Sequence, residues 1–204
     1  LVDLGISSHQ IDASERGFST RLEGALDMRM DRRIVLTAAN IVNGYPEDDL
    51  ARIFREYGEI RHAGKLAQAI VKARAQQPVD TTSALREVVI SQAPRGQENK
   101  FLAQAFQAIR IEVNRELMSM EKFLLSSLEV LRPGGRMVVL SYHSLEDRMV
   151  KNFFRTGNIR GEQEQDFYGN KNTSIRTITR KPLVASRQEV EGNPRARSAK
   201  LRIG

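Results

Sequence analysis

Apolar residues recur at helical spacing in the first half of the chain. Between Pro46 and Gly58 they fall at positions i, i+3, i+4 and i+7, directly after acidic residues of the kind that begin helices. A second amphipathic helix is predicted through Leu66 up to Pro78, and a third from about Asp80. No strand pattern separates these segments, so they predict a block made only of helices.

The second half of the chain mixes helix and strand patterns. Apolar residues keep helical register from Phe101 to Leu131, and Pro133 with the two glycines after it ends that helix. Met137–Leu140 is an apolar run of strand length, and helical spacing resumes over Leu145–Phe154. This order of helix, turn, strand and helix is typical of an α/β sheet rather than of a helical bundle.

The two ends of the chain carry weaker patterns. Residues 1–8 resemble the end of a buried strand that runs into a loop, and we expect an N-terminal truncation before them. Polar residues dominate 156–174, which predicts a mobile loop. Short strands are predicted around Ile175–Ile178 and Lys200–Ile203.

Ionisable residues follow the predicted strand at Met137–Leu140 directly. In open α/β sheets ligands bind beyond the carboxyl ends of strands, where Tyr142, His143, Glu146 and Asp147 would lie. A lone His at a strand end is more often a structural residue than a catalytic one. Glu146 and Asp147 are suited either to orient His143 or to cap the next helix. The stretch therefore predicts a site, with these roles open.

Composition and charge narrow the class of protein. The 204 residues, 40% of them hydrophobic, are enough for one sizeable core and a smaller second one. The chain has no Cys and only three dispersed His, so we expect no disulfide, no thiol catalysis and no metal site. No apolar run approaches the ~20 residues that cross a bilayer, and no signal-peptide pattern is present, so we predict a cytoplasmic protein without a membrane partner.

Positive charge is concentrated in the last quarter of the chain. From Arg148 onward there are 13 Lys and Arg against 5 Asp and Glu, whereas residues 1–147 have 19 against 20. Such a concentration suits a polyphosphate partner such as RNA, because neutralised phosphates release counterions. A solvated basic tail explains the composition equally well.

Six short motifs stand in a fixed order along the chain: Asp3-Leu4-Gly5-Ile6-Ser7-Ser8-His9-Gln10, Glu15-Arg16-Gly17-Phe18-Ser19, Leu26-Asp27-Met28-Arg29-Met30-Asp31, Phe106 to Ile111 with Val113-Asn114 and Glu116-Leu117, Ser141-Tyr142-His143-Ser144-Leu145-Glu146-Asp147-Arg148, and Asn193-Pro194-Arg195-Ala196-Arg197-Ser198. Together they resemble the bacterial small-subunit rRNA cytosine-N4 methyltransferases, the RsmH or MraW family. The motifs extend over nearly the whole chain, so the resemblance is specific.

The resemblance implies a class I S-adenosylmethionine-dependent methyltransferase, an α/β fold with a Rossmann-like doubly wound sheet. Residues 1–23 and 105–204 would form its core, N-terminally incomplete, and residues 24–104 an inserted helical domain that recognises substrate. The implied reaction is methylation of the N4 amine of a cytidine in the decoding region of 16S rRNA, within the small ribosomal subunit. The family also suggests a homodimer.

By similarity, Asp3 and Gln10 match positions that contact the cofactor S-adenosyl-L-methionine. The family's glycine-rich cofactor loop would precede Leu1 and is absent from this sequence. A non-catalytic RNA-binding protein derived from the same fold is therefore the alternative hypothesis.

The reaction indicates roles for further residues. The N4 amine is a weak nucleophile because its lone pair is delocalised into the ring, so catalysis consists mainly of alignment and of acceptors for its N–H bonds. Asp3, Ser7 and Ser8 are suitable acceptors, or else cap their loop. Tyr142 is predicted to stack on an extruded base, and His143 to accept the released proton.

Four more polar residues complete the predicted set. Arg195 and Arg197 flank a rigid Pro turn in the basic quarter, which suits phosphate contacts, although solvated surface arginines look the same in sequence. Arg110 and Asn114 lie four residues apart on one helix face. We interpret them as a polar network beneath the substrate cleft or, equally well, as structural partners.

Overall fold

The structure is a computed structural model that describes residues 1–163, 173 and 175–204. The remaining part of the predicted mobile loop lies outside the described residues. The chain divides into two compact units. We call them the sheet unit, Leu1–Gly5 with Leu117–Gly204, and the helical unit, Ile6–Glu116.

The regular elements are numbered along the described chain. The helices are α1 (Ser8–Asp12), α2 (Ala38–Gly44), α3 (Glu47–Glu56), α4 (Ala63–Gln76), α5 (Thr82–Ser91), α6 (Glu98–Asn114), α7 (Glu116–Val130), α8 (Ser144–Thr156) and α9 (Arg187–Gly192). The strands are β1 (Val2–Asp3), β2 (Val138–Ser141), β3 (Leu183–Val184) and β4 (Lys200–Ile203). Short 3₁₀ helices span Ser14–Arg16 and Pro194–Ser198.

The helical unit contains the three helices predicted from apolar spacing, as α3, α4 and α5. Helix α3 begins after Pro46 with an acidic first turn, which complements the helix dipole, and it buries Leu50, Ile53 and Phe54 completely. Burial of each such side chain contributes about 1.5–3 kcal/mol. All of the predicted helical domain, residues 24–104, lies in this unit, which also takes in residues 6–23 and 105–116.

The prediction of a single helix from Phe101 to Leu131 is wrong, because two helices, α6 and α7, span this segment. Arg115, between α6 and α7, has a φ of +49°, and its N–H donates to the carbonyl of Glu112. This left-handed residue ends α6 without a Gly or Pro to mark it. Apolar spacing continues across the break, so periodicity alone could not show it.

The sheet unit is built on a mixed four-stranded sheet in the order β1-β2-β4-β3. Strand β1 pairs with β2 in parallel, and β4 lies antiparallel to both β2 and β3. Helices α7 and α8 cover the sheet with a core of apolar side chains, namely Met120, Leu124, Met137, Val139, Val150, Phe153 and Phe154. The predicted α/β class is confirmed for this unit.

Two strand predictions need correction. Strand β1 is present but not buried, since Val2 is half-buried and Asp3 is exposed. Residues 175–178 form no strand: the N–H groups of Ile178 and Thr179 both donate to the carbonyl of Ile203, which gives no ladder, and the strand beside β4 is β3 instead. Strand β4 forms at Lys200–Ile203 as predicted.

Among the described residues, no helix is both long and apolar enough to cross a membrane.

Candidate functional site

The carboxyl ends of β1 and β2 lie side by side in the sheet unit. The two strands are parallel, with Asp3 opposite Leu140, and the N–H of Leu4 donates to the carbonyl of Leu140 at 3.0 Å. Asp3 and the residues after Leu140 therefore share one edge of the sheet. The strand end predicted at residues 1–8 thus lies beside the end of β2.

A hydrogen bond joins the two strand ends directly. The hydroxyl of Tyr142 donates to Oδ1 of Asp3 at 2.8 Å. Burial raises the pKa of the Tyr142 phenol to about 12, together with the hydrogen bond to Asp3 and the negative charges of Asp3 and Glu146. The phenol therefore stays protonated at neutral pH and acts as a donor to the carboxylate.

Gly5 turns the chain directly after β1. Its φ is +84°, a backbone conformation that side chains rarely adopt, and a Cβ at this position would lie in ordinary van der Waals contact with Cδ2 of Tyr142, at 3.4 Å. The positive φ, rather than a lack of space, is therefore what favours glycine here. Sequence reasoning missed Gly5, although a glycine directly after a strand was a usable signal.

Glu146 fixes the backbone that carries Tyr142. Its side chain is buried, and Oε2 accepts hydrogen bonds from the N–H of Tyr142 at 2.9 Å and of His143 at 3.3 Å. Each bond from a backbone N–H to a carboxylate is stronger than one between neutral groups. The segment between β2 and α8 is therefore held by the helix that follows it.

His143 is the N-cap residue of α8. Nδ1 of its imidazole accepts from the N–H of Glu146 at 3.4 Å, which completes a capping box with the Glu146 carboxylate. Nε2 lies 3.1 Å from Oε1 of Glu146, but its angles are not those of a hydrogen bond. With Nδ1 as an acceptor, the proton of the neutral ring is on Nε2. His143 therefore caps α8 in this structure, and proton transfer by His143 stays a prediction.

The side chain of Asp147 pairs with two cations of strand β4 and not with His143. Oδ1 accepts from Nε of Arg202 at 2.7 Å, and Nζ of Lys200 is 3.4 Å from Oδ2. Burial raises the pKa of Asp147, but the hydrogen bond and charge of Arg202, with the charge of Lys200, outweigh it and hold that pKa below its ordinary value. Sequence reasoning missed Arg202, because only the register of β4 on β2 brings it near.

In the helical unit, Ser7 and Gln10 bind each other. The Ser7 Oγ accepts from the N–H of Gln10 at 3.2 Å, and Oε1 of Gln10 accepts from the N–H of Ser7 at 2.9 Å, so the pair forms the capping box of α1. Ser8 is the exposed first residue of that helix. This geometry agrees with the capping alternative for Ser7. The predicted contact of Gln10 with the cofactor stays a prediction.

Asn114 and Arg110 also have structural partners within the helical unit. The Asn114 amide accepts from the N–H of Met30 at 2.7 Å and donates to the carbonyl of Met28 at 2.8 Å. It thereby fastens a turn in which Met28 has a φ of +58°. Arg110 forms a two-bond ion pair with Glu116, at 2.8 and 3.0 Å. These contacts support the structural alternative for both residues.

Arg195 and Arg197 are both exposed on the 3₁₀ helix at Pro194–Ser198. Asn193 caps that helix by accepting from the N–H of Arg195 at 3.3 Å, and Ala196 between the two arginines is buried. The turn is thus anchored at Ala196 while both flanking side chains are directed outward. This arrangement is compatible with the predicted phosphate contacts.

Comparison with known proteins gives a consistent picture. The model of the MraW methylase family matches residues 1–204. The ribosomal RNA small subunit methyltransferase H of Bacteroides thetaiotaomicron is 54% identical over 203 residues, which is 100% of this chain and 67% of that protein. The proteins of the same name from Phocaeicola vulgatus and Cytophaga hutchinsonii are also 54% identical, with 67% and 68% of their lengths covered. The chain thus spans about two thirds of the length of these relatives.

Proposed function

The chain belongs to the MraW methylase family, and on that premise we propose that the protein methylates RNA of the small ribosomal subunit. The names of its relatives state this class of substrate. More narrowly, we propose that the methyl group goes to the exocyclic N4 of a cytidine in the decoding region of 16S rRNA, with S-adenosylmethionine as the donor, within the cytoplasm.

The observation that carries this proposal is the placement of Asp3. Its carboxylate is exposed at the carboxyl ends of two parallel strands, which is where α/β sheets bind ligands. Among the described residues no cation pairs with it, so its charge is available to a ligand. A cofactor with a positive sulfonium and hydrogen-bond donors fits such an acceptor.

The bound cofactor would supply an activated methyl group. The task of this chain's residues is then to align the amine and to accept hydrogen bonds from the groups around it, since an aromatic amine needs no strong base before attack. Asp3 is the acceptor that we assign to this task on the sheet unit. Ser7, Gln10 and His143 keep their predicted roles as candidates for mutation, although each already has a local capping partner.

The direct test uses the full-length protein and small subunits from a strain that lacks the methyl group. We expect transfer of labelled methyl from S-adenosylmethionine, and mass spectrometry of the digested rRNA should place it on one cytidine as N4-methylcytidine. Subunit binding without any transfer would favour the non-catalytic RNA-binding alternative. A methyl group on another atom or base would contradict the narrower proposal.

Binding to the subunit has its own test. Charge reversal at both Arg195 and Arg197, to Glu, should weaken subunit binding and reduce its dependence on salt, because fewer phosphate contacts release fewer counterions. The matched control is the Arg187→Glu variant, since Arg187 is an exposed arginine in α9 that pairs with Glu191 at 3.0 Å. The control reverses one charge and the double variant reverses two, so equal effects per reversed charge would show general electrostatics rather than a contact at this turn.

A further inference from the structure

Two hydrogen bonds fix Tyr142 of the sheet unit. Its backbone N–H donates to the buried Glu146 carboxylate, and its hydroxyl donates to Oδ1 of Asp3. One bond holds the main chain and the other holds the end of the side chain. Together they hold the phenol in one orientation with its donor on the Asp3 carboxylate.

The hydrogen bond from the Tyr142 hydroxyl restricts the conformations of the Asp3 side chain. An exposed carboxylate turns freely about its side-chain bonds, and a free carboxylate must lose that freedom whenever it binds a ligand. With Oδ1 held by Tyr142, the plane of the carboxylate is set and Oδ2 points in a defined direction. A preorganised acceptor of this kind binds a ligand donor more strongly than a mobile one.

We propose that Tyr142 is a positioning residue that acts through Asp3, so that its hydroxyl sets the carboxylate that binds the cofactor. The proposal rests on the proposed function, since it names what prepares Asp3 for that role. It differs from the prediction that Tyr142 stacks on an extruded base. Stacking needs the aromatic ring, whereas positioning needs the hydroxyl.

The variant Tyr142→Phe separates these two roles, because it removes the hydroxyl and keeps the ring. We expect the dissociation constant for S-adenosylmethionine, measured by calorimetry on the full-length protein, to rise about two- to tenfold, because the freed Asp3 side chain must then lose its rotational freedom when the ligand binds. The KM for small subunits should stay unchanged. The matched control is Tyr45→Phe, which removes an equivalent hydroxyl from Glu112 in the helical unit and should leave cofactor binding unchanged.

A double-mutant cycle tests whether Tyr142 acts through Asp3. If it does, Tyr142→Phe added to Asp3→Ala should weaken cofactor binding no further, because the group that it positions is already gone. An unchanged dissociation constant in Tyr142→Phe would overturn the proposal. So would a full additional loss in the double variant.

Failure of the proposed function has a different signature. It would appear as a wild-type protein that neither binds S-adenosylmethionine nor methylates the subunit, before any variant is made. The positioning role is refuted only when the wild-type protein does both and Tyr142→Phe matches it. Melting temperatures of the variants without cofactor complete the test, and a fall in cofactor affinity explained by a fall in stability would count against the proposal.

Discussion

Two tyrosine–carboxylate pairs occur in this chain, one in each unit, and they differ in what else binds the carboxylate. In the helical unit the hydroxyl of Tyr45 donates to Oε1 of Glu112 at 3.0 Å, and Arg52 lies 3.4 Å from the same oxygen. In the sheet unit the hydroxyl of Tyr142 donates to Asp3 at 2.8 Å. Among the described residues Asp3 has no cation partner.

The pKa values of the two phenols do not distinguish the two pairs. Burial raises the pKa of Tyr45 to about 12, with the charge of Glu112 and the hydrogen bond to it adding to the effect, and Tyr142 is raised to about 12 by the same kinds of cause. What differs is the carboxylate. Glu112 is mostly buried and its charge is neutralised by Arg52, whereas Asp3 is exposed and has no cation partner in the part of the chain that the structure describes.

Asp147 shows that carboxylates with a cation partner are not confined to the helical unit. It belongs to the sheet unit, as Asp3 does, but it is bound by Arg202 and Lys200. A carboxylate with a cation partner therefore stabilises the fold in either unit. Asp3 is the one of these three carboxylates that has no cation partner among the described residues, and the predictions below test whether it binds a ligand instead.

The largest effect is expected from Asp3→Ala. Methyl transfer by the full-length protein should fall roughly 10²–10³-fold, the usual loss for a preorganised polar group in an active site. The free energy of unfolding should fall by no more than about 1 kcal/mol, because Asp3 is exposed and water can replace it as the acceptor of the Tyr142 hydroxyl. Both quantities can be measured on the same preparation, by single-turnover transfer to small subunits and by urea denaturation.

The matched control for that prediction is Glu112→Ala. It should lower the free energy of unfolding by about 1–2 kcal/mol, because it leaves the Tyr45 hydroxyl and Arg52 without their acceptor. Turnover per folded molecule should stay at the wild-type level. Normal turnover in Asp3→Ala would remove Asp3 from the site.

The sequence predicts much of this arrangement, and the reason is local. Acidic residues after Pro46, apolar spacing, and the Pro and Gly residues before β2 act over a few positions, so α3, α4, α5, β2 and α8 were all predictable. The placement of Tyr142, His143 and Glu146 directly after β2 follows from the same local pattern.

Contacts between distant residues were not predictable from these signals. The Tyr142 hydroxyl meets Asp3 across 139 positions of sequence, and Arg202 meets Asp147 across 55. Both contacts depend on strand pairing and register. The capping role of His143 was also missed, because it depends on the position of Nδ1 within reach of the Glu146 N–H.

The next effect in size is on stability, from Asp147→Asn. The change leaves the buried Arg202 without its counter-charge, and breaking such a pair costs about 2–4 kcal/mol in free energy of unfolding. Cofactor affinity should change far less than in Asp3→Ala. A loss of cofactor affinity as large as that of Asp3→Ala would break the distinction between paired and unpaired carboxylates.

The same variant has a predictable dependence on pH. The pKa of Asp147 is lowered in the folded protein, so its contribution to stability is complete above the pKa of an unfolded aspartate, about 3.9, and is lost as pH falls through the lower folded value. The stability difference between wild type and Asp147→Asn should therefore be constant near neutral pH and shrink below about pH 4. Urea denaturation across this range checks the prediction, and a difference that grows on acidification would contradict it.

A smaller effect is expected from Gly5→Ala, which tests the turn between β1 and the residues after it. A side chain at a φ of +84° costs about 1–2 kcal/mol, while the new Cβ would be in ordinary contact with the Tyr142 ring at 3.4 Å. Cofactor affinity should fall by less than in Tyr142→Phe, because relief of the backbone strain would shift the chain next to Asp3 without removing the hydroxyl. The control is Gly64→Ala, at an exposed position in α4 with no atom within 4 Å, where alanine should raise stability by up to about 1 kcal/mol. If both glycine variants bind cofactor as the wild type does, Gly5 has no part in placing Tyr142.

The smallest effect is expected from Tyr45→Phe. Glu112 keeps Arg52 at 3.4 Å when the hydroxyl is lost, so its charge stays compensated, and the free energy of unfolding should fall by only about 1 kcal/mol. Its cofactor affinity and turnover should equal those of the wild type, while Tyr142→Phe should lose cofactor affinity at a similarly small cost in stability. The two substitutions remove the same atom from the same kind of bond. A difference in cofactor affinity between the two variants must therefore come from the carboxylate that each tyrosine binds. If both variants lowered cofactor affinity equally, the cation beside Glu112 would not be what distinguishes a structural carboxylate from a ligand-binding one.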